Sequence, residues 1–217
     1  MIKYFVRTTN ERSLDGSFER ELGEDFTLLI DYNHNSGKAF MEQLLTINEY
    51  DCVVMEDDII LCKDFKKKIE EAISLYPNDI INFFTEPMRY MKTKKGGCFS
   101  YNQCVYFPKG FGKIIYDTVN KYNIRKERQE VIMRDSLLRL HKMYIIYRPC
   151  LVQHIDDGSL MGHDKVKFCR RSPYFIDYLD ELGLTHEEAE IPKNKQKLIK
   201  LMQDKFKEID SKKGVKK

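Results

Sequence analysis

The chain has 217 residues, 42% of them apolar and 33% charged, with a formal net charge of +3. That length can bury an ordinary core without disulfides or a structural metal, and the apolar fraction excludes a disordered chain. Apolar runs such as Cys52–Met55 fall far short of the roughly 20 residues that a membrane-crossing helix needs.

The opening residues, Ile2 to Arg7, predict a strand. They lack the longer apolar stretch and small-residue cleavage site of a secretory signal, so a cytoplasmic location is expected. Phe26 to Asp31 predicts a second strand, closed by the turn-forming residues Asn33 to Gly37. A helix follows with Phe40, Leu44, Leu45 and Ile47 on its apolar face, and Tyr50 to Met55 makes a third strand that stops at Glu56-Asp57-Asp58. Phe65, Ile69, Ala72, Ile73 and Tyr76 recur at helical spacing up to Pro77, and Ile80 to Phe84 is the next strand. This alternation predicts an α/β domain: a mostly parallel central sheet of Rossmann type, flanked by helices.

Beyond residue 85 come a polar, basic loop from Pro87 to Gly97, a β-rich run from Ser100 to Phe107, helices over Gly110–Tyr122 and Glu130–Leu140, and a strand over Met143–Tyr147. A loop over Pro149–His163 carries His and Asp side chains. The six cysteines contain no C-x-x-C pair, and in apolar surroundings they read as small hydrophobes rather than zinc ligands. Residues 193–217 hold ten lysines against three acids, a local balance of +7 that leaves −4 for the rest of the chain. Leu198, Met202, Phe206 and Ile209 fall at helical spacing there, which predicts an amphipathic helix docked on the body with its lysines in solvent. The expected organisation is a catalytic domain over 1–165 and a helical, lysine-ended extension over 166–217.

Ligand sites in open α/β sheets lie beyond the carboxyl ends of the strands, so Arg7-Thr8, Asp31 and Glu56-Asp57-Asp58 should open on one crevice. Three consecutive carboxylates repel one another and call for a cation. Magnesium or manganese, which take carboxylate and phosphate oxygens, match that demand. The alternative is that the acids merely cap the helix that follows. Against it, Ile59-Ile60-Leu61 continues the apolar stretch, and charge placed inside a buried run requires a reason.

The segment Val-Val-Met-Glu-Asp-Asp-Ile-Ile-Leu (residues 53–61), preceded by a first strand ending in Arg-Thr, resembles the acidic metal-binding motif of nucleotide-sugar glycosyltransferases with the GT-A fold. The run from Arg148 to His163 is similar to that family's closing segment, in which a histidine completes the metal shell. The resemblance implies that Asp58 and His154, 96 positions apart, bind one Mn2+ or Mg2+. It also implies that Glu56 faces the ribose of a nucleotide-diphosphate sugar, a UDP-sugar above others, and that Asp57 holds the loop or acts through water. Arg7, Thr8 and Asp31 are candidates for the nucleoside pocket, and His163 and Lys165 for the phosphates; each could equally be an ordinary surface group. Asp135 stands where inverting members carry the base that takes the acceptor's proton, with Glu130 as its substitute.

The implied reaction is sugar transfer to a hydroxyl on a glycan, a protein or a hydroxylated DNA base, with inversion. A sugar nucleotidyltransferase would need a Gly-rich phosphate loop after the first strand, and Thr8-Thr9-Asn10-Glu11-Arg12 has no glycine. A non-catalytic nucleic-acid-binding protein would interleave aromatic and basic residues as a stacking platform, which the basic run does not do.

Overall fold

The computed structural model describes residues 1–9, 11, 13–32, 34–84, 103–155 and 171–214. The expected loop over Pro87–Gly97 and the expected domain boundary at 165 lie outside these residues. The elements are β1 (Lys3–Thr8), α1 (Gly16–Leu22), β2 (Thr27–Ile30), α2 (Ser36–Ile47), β3 (Cys52–Glu56), β4 (Ile59–Leu61), α3 (Phe65–Leu75) and β5 (Ile81–Asn82). They continue with β6 (Cys104–Phe107), α4 (Phe111–Lys121), α5 (Gln129–Arg139), β7 (Ile145–Ile146), β8 (Val152–His154), α6 (Ile176–Leu182), α7 (His186–Ala189) and α8 (Pro192–Gly214).

Among the described residues six strands form one sheet in the order β2-β1-β3-β6-β5-β7. β1 pairs in parallel with β2 and β3, β5 with β7, and only β6 runs against its neighbours. The fold is therefore α/β with a mostly parallel central sheet. Its strands read as continuous apolar runs because both faces are covered. Tyr4, Val6, Val53, Met55, Cys104 and Tyr106 project into one core with residues of α1, α3, α6 and α8. Phe5, Cys52, Val54, Val105 and Phe107 project into the other, against α2, α4 and α5. This strict alternation is the period-2 geometry of a strand.

A second sheet of two strands pairs β4 with β8. The sequence predicted a loop over Pro149–His163, yet Val152–His154 is a strand, because it supplies the antiparallel partner that Ile59–Leu61 needs. On the same strand Ser17 Oγ of α1 accepts from Leu61 N at 2.8 Å. α1 was not expected. Its local signals are an aspartate and a glycine at its two ends: Asp15 caps it by accepting from Ser17 N, and Gly23 ends it at φ 60°. α6 and α7 fall within the helical extension expected over 166–217 but were not placed individually, although Thr185 and Glu188 form a capping box at the start of α7.

The predicted C-terminal amphipathic helix is α8. Leu198 and Phe206 are buried while Lys193, Lys197, Lys200 and Lys207 face solvent. Leu198, with Tyr174, Phe175 and Leu179, belongs to the same core as β1, β3 and β6, so the C-terminal segment is built into the body. None of the described helices is long and apolar enough to cross a membrane.

Candidate metal centre

The centre follows from the alternation of the strands. On β1 and β3, Arg7 and Glu56 fall on the face that carries Phe5 and Val54, and their register sets them side by side. Arg7 Nη2 donates to Glu56 Oε1 at 3.3 Å, and its guanidinium lies 5.7 Å from the Phe40 ring centroid. A narrow gap beneath it is lined by Phe40, Val54, Val105 and Phe107. Across that face α5 brings in Gln129, whose Nε2 donates to Glu56 Oε1 at 2.6 Å. The backbone of Glu56 is tied as well, its N–H donating to Gln103 O at 2.9 Å.

Past Glu56 the chain turns, which places Asp57 and Asp58 at the corner between β3 and β4. Asp57 is buried and accepts from Thr8 Oγ1 at 2.7 Å, a contact that fastens the corner to the end of β1. β4 then pairs with β8 in a register that sets Ile59 opposite His154, and Ile155 N donates to Asp58 O at 2.8 Å. Through this pairing Asp58 Oδ2 lies 3.3 Å from His154 Nε2. The juxtaposition expected across 96 positions is present. Each of Glu56, Asp58 and His154 offers a ligand atom, and the three atoms lie within 4.8 Å of one another. Glu56 thus joins Asp58 and His154, whereas the sequence resemblance assigned it to the ribose alone.

Two ligands at right angles on a cation, each about 2.1–2.4 Å away, stand about 3.0–3.4 Å apart. The Asp58–His154 separation of 3.3 Å falls inside that interval. Two carboxylates and an imidazole form a donor set suited to Mn2+, Mg2+ or Zn2+. Three protein ligands leave coordination positions for water or a substrate's oxygens. Among the described residues no other three His, Cys, Asp or Glu side chains gather in this way.

The electrostatics are those of a site short of positive charge. Burial, reinforced by the Asp58 charge, pushes the Glu56 carboxyl up from 4.5 to about 7, while Arg7 and His154 oppose the shift. Burial lowers the Arg7 pKa, against the pull of Glu56, Glu130, Asp57 and Asp58. Both shifts show that the carboxylates and the one guanidinium share a poorly solvated space.

The remaining expected residues are distributed as follows. Thr8 binds Asp57, and Asp31 N donates to Thr8 O at 2.9 Å, which keeps the end of β2 beside the end of β1. Glu130 sits in the first turn of α5, and its charge acts on both Arg7 and Glu56. Asp135 was expected near a helix start; it lies farther along α5, where its Oδ1 accepts from Arg134 Nε at 2.7 Å. His163 and Lys165 lie outside the described residues. Sequence reasoning missed Gln129 and Gln103. A glutamine at a helix start or strand start carries no local signal, and only the packing of α5 on the sheet reveals the contact with Glu56.

No protein-family model matches this chain, and no curated protein matches it by sequence.

Proposed function

We propose that the chain is a metal-dependent glycosyltransferase that moves a sugar from a nucleotide-diphosphate donor to a hydroxyl acceptor with inversion. The observation that carries this reading is the gathering of Glu56, Asp58 and His154 at the carboxyl end of the parallel strands. That is where open α/β sheets bind nucleotides, and the surrounding sequence resembles the GT-A acidic motif. Glu56, Asp58 and His154 would hold Mn2+ or Mg2+, which, when bound, supplies positive charge to the departing diphosphate. Arg7 keeps Glu56 in place, and Thr8 with Asp57 fixes the corner that presents Asp58. Of the two carboxylates considered as base, Glu130 lies in the first turn of α5 and its charge acts on Glu56, while Asp135 is engaged by Arg134. Glu130 is the better placed to take the acceptor hydroxyl's proton. The acceptor classes remain a glycan, a protein or a hydroxylated DNA base.

The test is release of UDP from a panel of UDP-sugars by chelator-stripped protein, with and without added Mn2+. The wild type is expected to release UDP only with the cation. Asp58→Asn should lose that release by at least about a hundredfold, more than the loss of an outer partner costs, and should keep its thermal midpoint in EDTA. Release that is indifferent to EDTA, or no release from any donor, refutes the reading.

A further inference from the structure

Gln129 carries an acceptor that no described group satisfies. The residue is only 6% exposed, and its Nε2 donates to Glu56 Oε1 at 2.6 Å. Gln129 Oε1 is closed off from solvent and takes no hydrogen bond among the described residues. The oxygen and nitrogen of one carboxamide are about 2.2 Å apart, so Oε1 lies within about 5 Å of Glu56 Oε1. With Glu56 ionised, reversing the amide would not relieve it, since Oε1 would then meet the carboxylate, acceptor against acceptor. A buried acceptor without a donor is costly, and one beside a candidate metal centre calls for a donor from water, an ion's shell or a ligand.

Gln103 repeats the pattern. Its carbonyl accepts from Glu56 N, the residue is 6% exposed, and its Oε1 is buried without a hydrogen-bond partner among the described residues. Alternation from Val105 places it on the same sheet face as Glu56. Two buried carboxamide oxygens thus belong to residues that hydrogen-bond Glu56, one through its side chain and one through its backbone, and both need donors that the described residues do not supply.

We infer that Gln129 is a positioning residue that senses the occupant of the centre: its Nε2 holds Glu56, and its Oε1 accepts an O–H from what binds there. The donor is a water on the cation or a hydroxyl of a ligand reaching the cation. Hard cations keep several waters, whose polarised O–H groups seek acceptors in the outer shell. This inference rests on the metal part of the proposed function and not on sugar transfer.

Gln129→Met preserves length and volume while removing both amide functions, and it also removes the buried unsatisfied oxygen, so the fold is expected to persist. Mn2+ binding to the full chain is measured by electron paramagnetic resonance of the free ion. The arms are Mn2+ alone, Mn2+ with UDP, and Mn2+ with 2′,3′-dideoxy-UDP, and the thermal midpoint is recorded in EDTA. A 10- to 100-fold weakening with Mn2+ alone, of the size typical for outer-shell partners, identifies the donor as bound water. A weakening seen with UDP but not with the dideoxy analogue identifies a ligand hydroxyl. Wild-type affinity in all three arms overturns the inference while leaving the metal reading intact, even if the EDTA midpoint moves. Failure of the wild type itself to bind Mn2+ refutes the metal reading and this inference with it.

Discussion

Glu56→Gln separates the electrostatic cost of the centre from its chemistry. The Glu56 carboxyl is pushed from 4.5 to about 7 by burial and by Asp58. Between those values the folded state keeps a proton that the unfolded state has lost, so this group's contribution to stability is complete below pH 4.5. It is lost as pH rises through 7. A shift of about 2.5 units at 1.36 kcal/mol each amounts to on the order of 3 kcal/mol by pH 8. For a chain of this size that is about 6–12 °C in thermal midpoint. A glutamine is neutral at every pH and escapes the penalty. In EDTA, Glu56→Gln should match the wild type near pH 4.5 and exceed it by that margin at pH 8, as read from thermal unfolding followed by circular dichroism. Subtracting the two curves removes the titrations common to both proteins. Mn2+ at a hundred times Kd, which adds about 2.7 kcal/mol to the wild type, should close most of that margin at pH 8, and Mn2+ at a thousand times Kd, which adds about 4.1 kcal/mol, should reverse the order. The variant, lacking one ligand, gains less. If Glu56→Gln is instead the less stable protein at pH 8 in EDTA, the contacts from Arg7 and Gln129 outweigh burial and the carboxylate is structural.

Gly37 lies where α2 meets the chain leading into α5, and a Cβ there would overlap Lys126 O. Gly37→Ala should cost about 1–3 kcal/mol in urea unfolding and weaken Mn2+ binding, because Gln129 shifts with the start of α5; unchanged affinity would uncouple that packing from the centre. Phe206→Ala should cost about 3–5 kcal/mol, since the ring is buried and stacks at 3.6 Å from the Arg171 guanidinium carbon. Its Mn2+ affinity should equal the wild type's, and a change there would show that α8 reaches the centre.

The α/β class, the strands β1, β2, β3, β5, β6 and β7, the long helices and the burial of α8 were legible in the sequence. The strands are specified by short continuous apolar runs bounded by turn residues, and the helices by a 3.6-residue period, both visible in a window of a dozen residues. The acidic triplet was legible for a similar reason: consecutive carboxylates inside an apolar run need no partner in view to demand a cation. Short elements were harder to see. β4 and β8 have only three residues each, and nothing within Val152–His154 distinguishes a strand from a loop until Ile59–Leu61 lies beside it.

Composition of the centre was decided by contacts between elements remote in sequence. The resemblance to a known motif paired Asp58 with His154, but their 3.3 Å approach exists only because β4 and β8 share one register. Glu56 belongs with them because β1 and β3 align it against Arg7 and because α5 packs Gln129 onto it. Likewise Glu130, in the first turn of α5, exerts its charge on Glu56, a consequence of where α5 begins relative to the sheet, while Asp135 lies farther along the helix beside Arg134. Periodicity is a property of neighbours along the chain, and it determined what is buried and what is helical. Which polar groups face one another depends on pairing and packing across tens of residues, and that was decided only when the sheet closed.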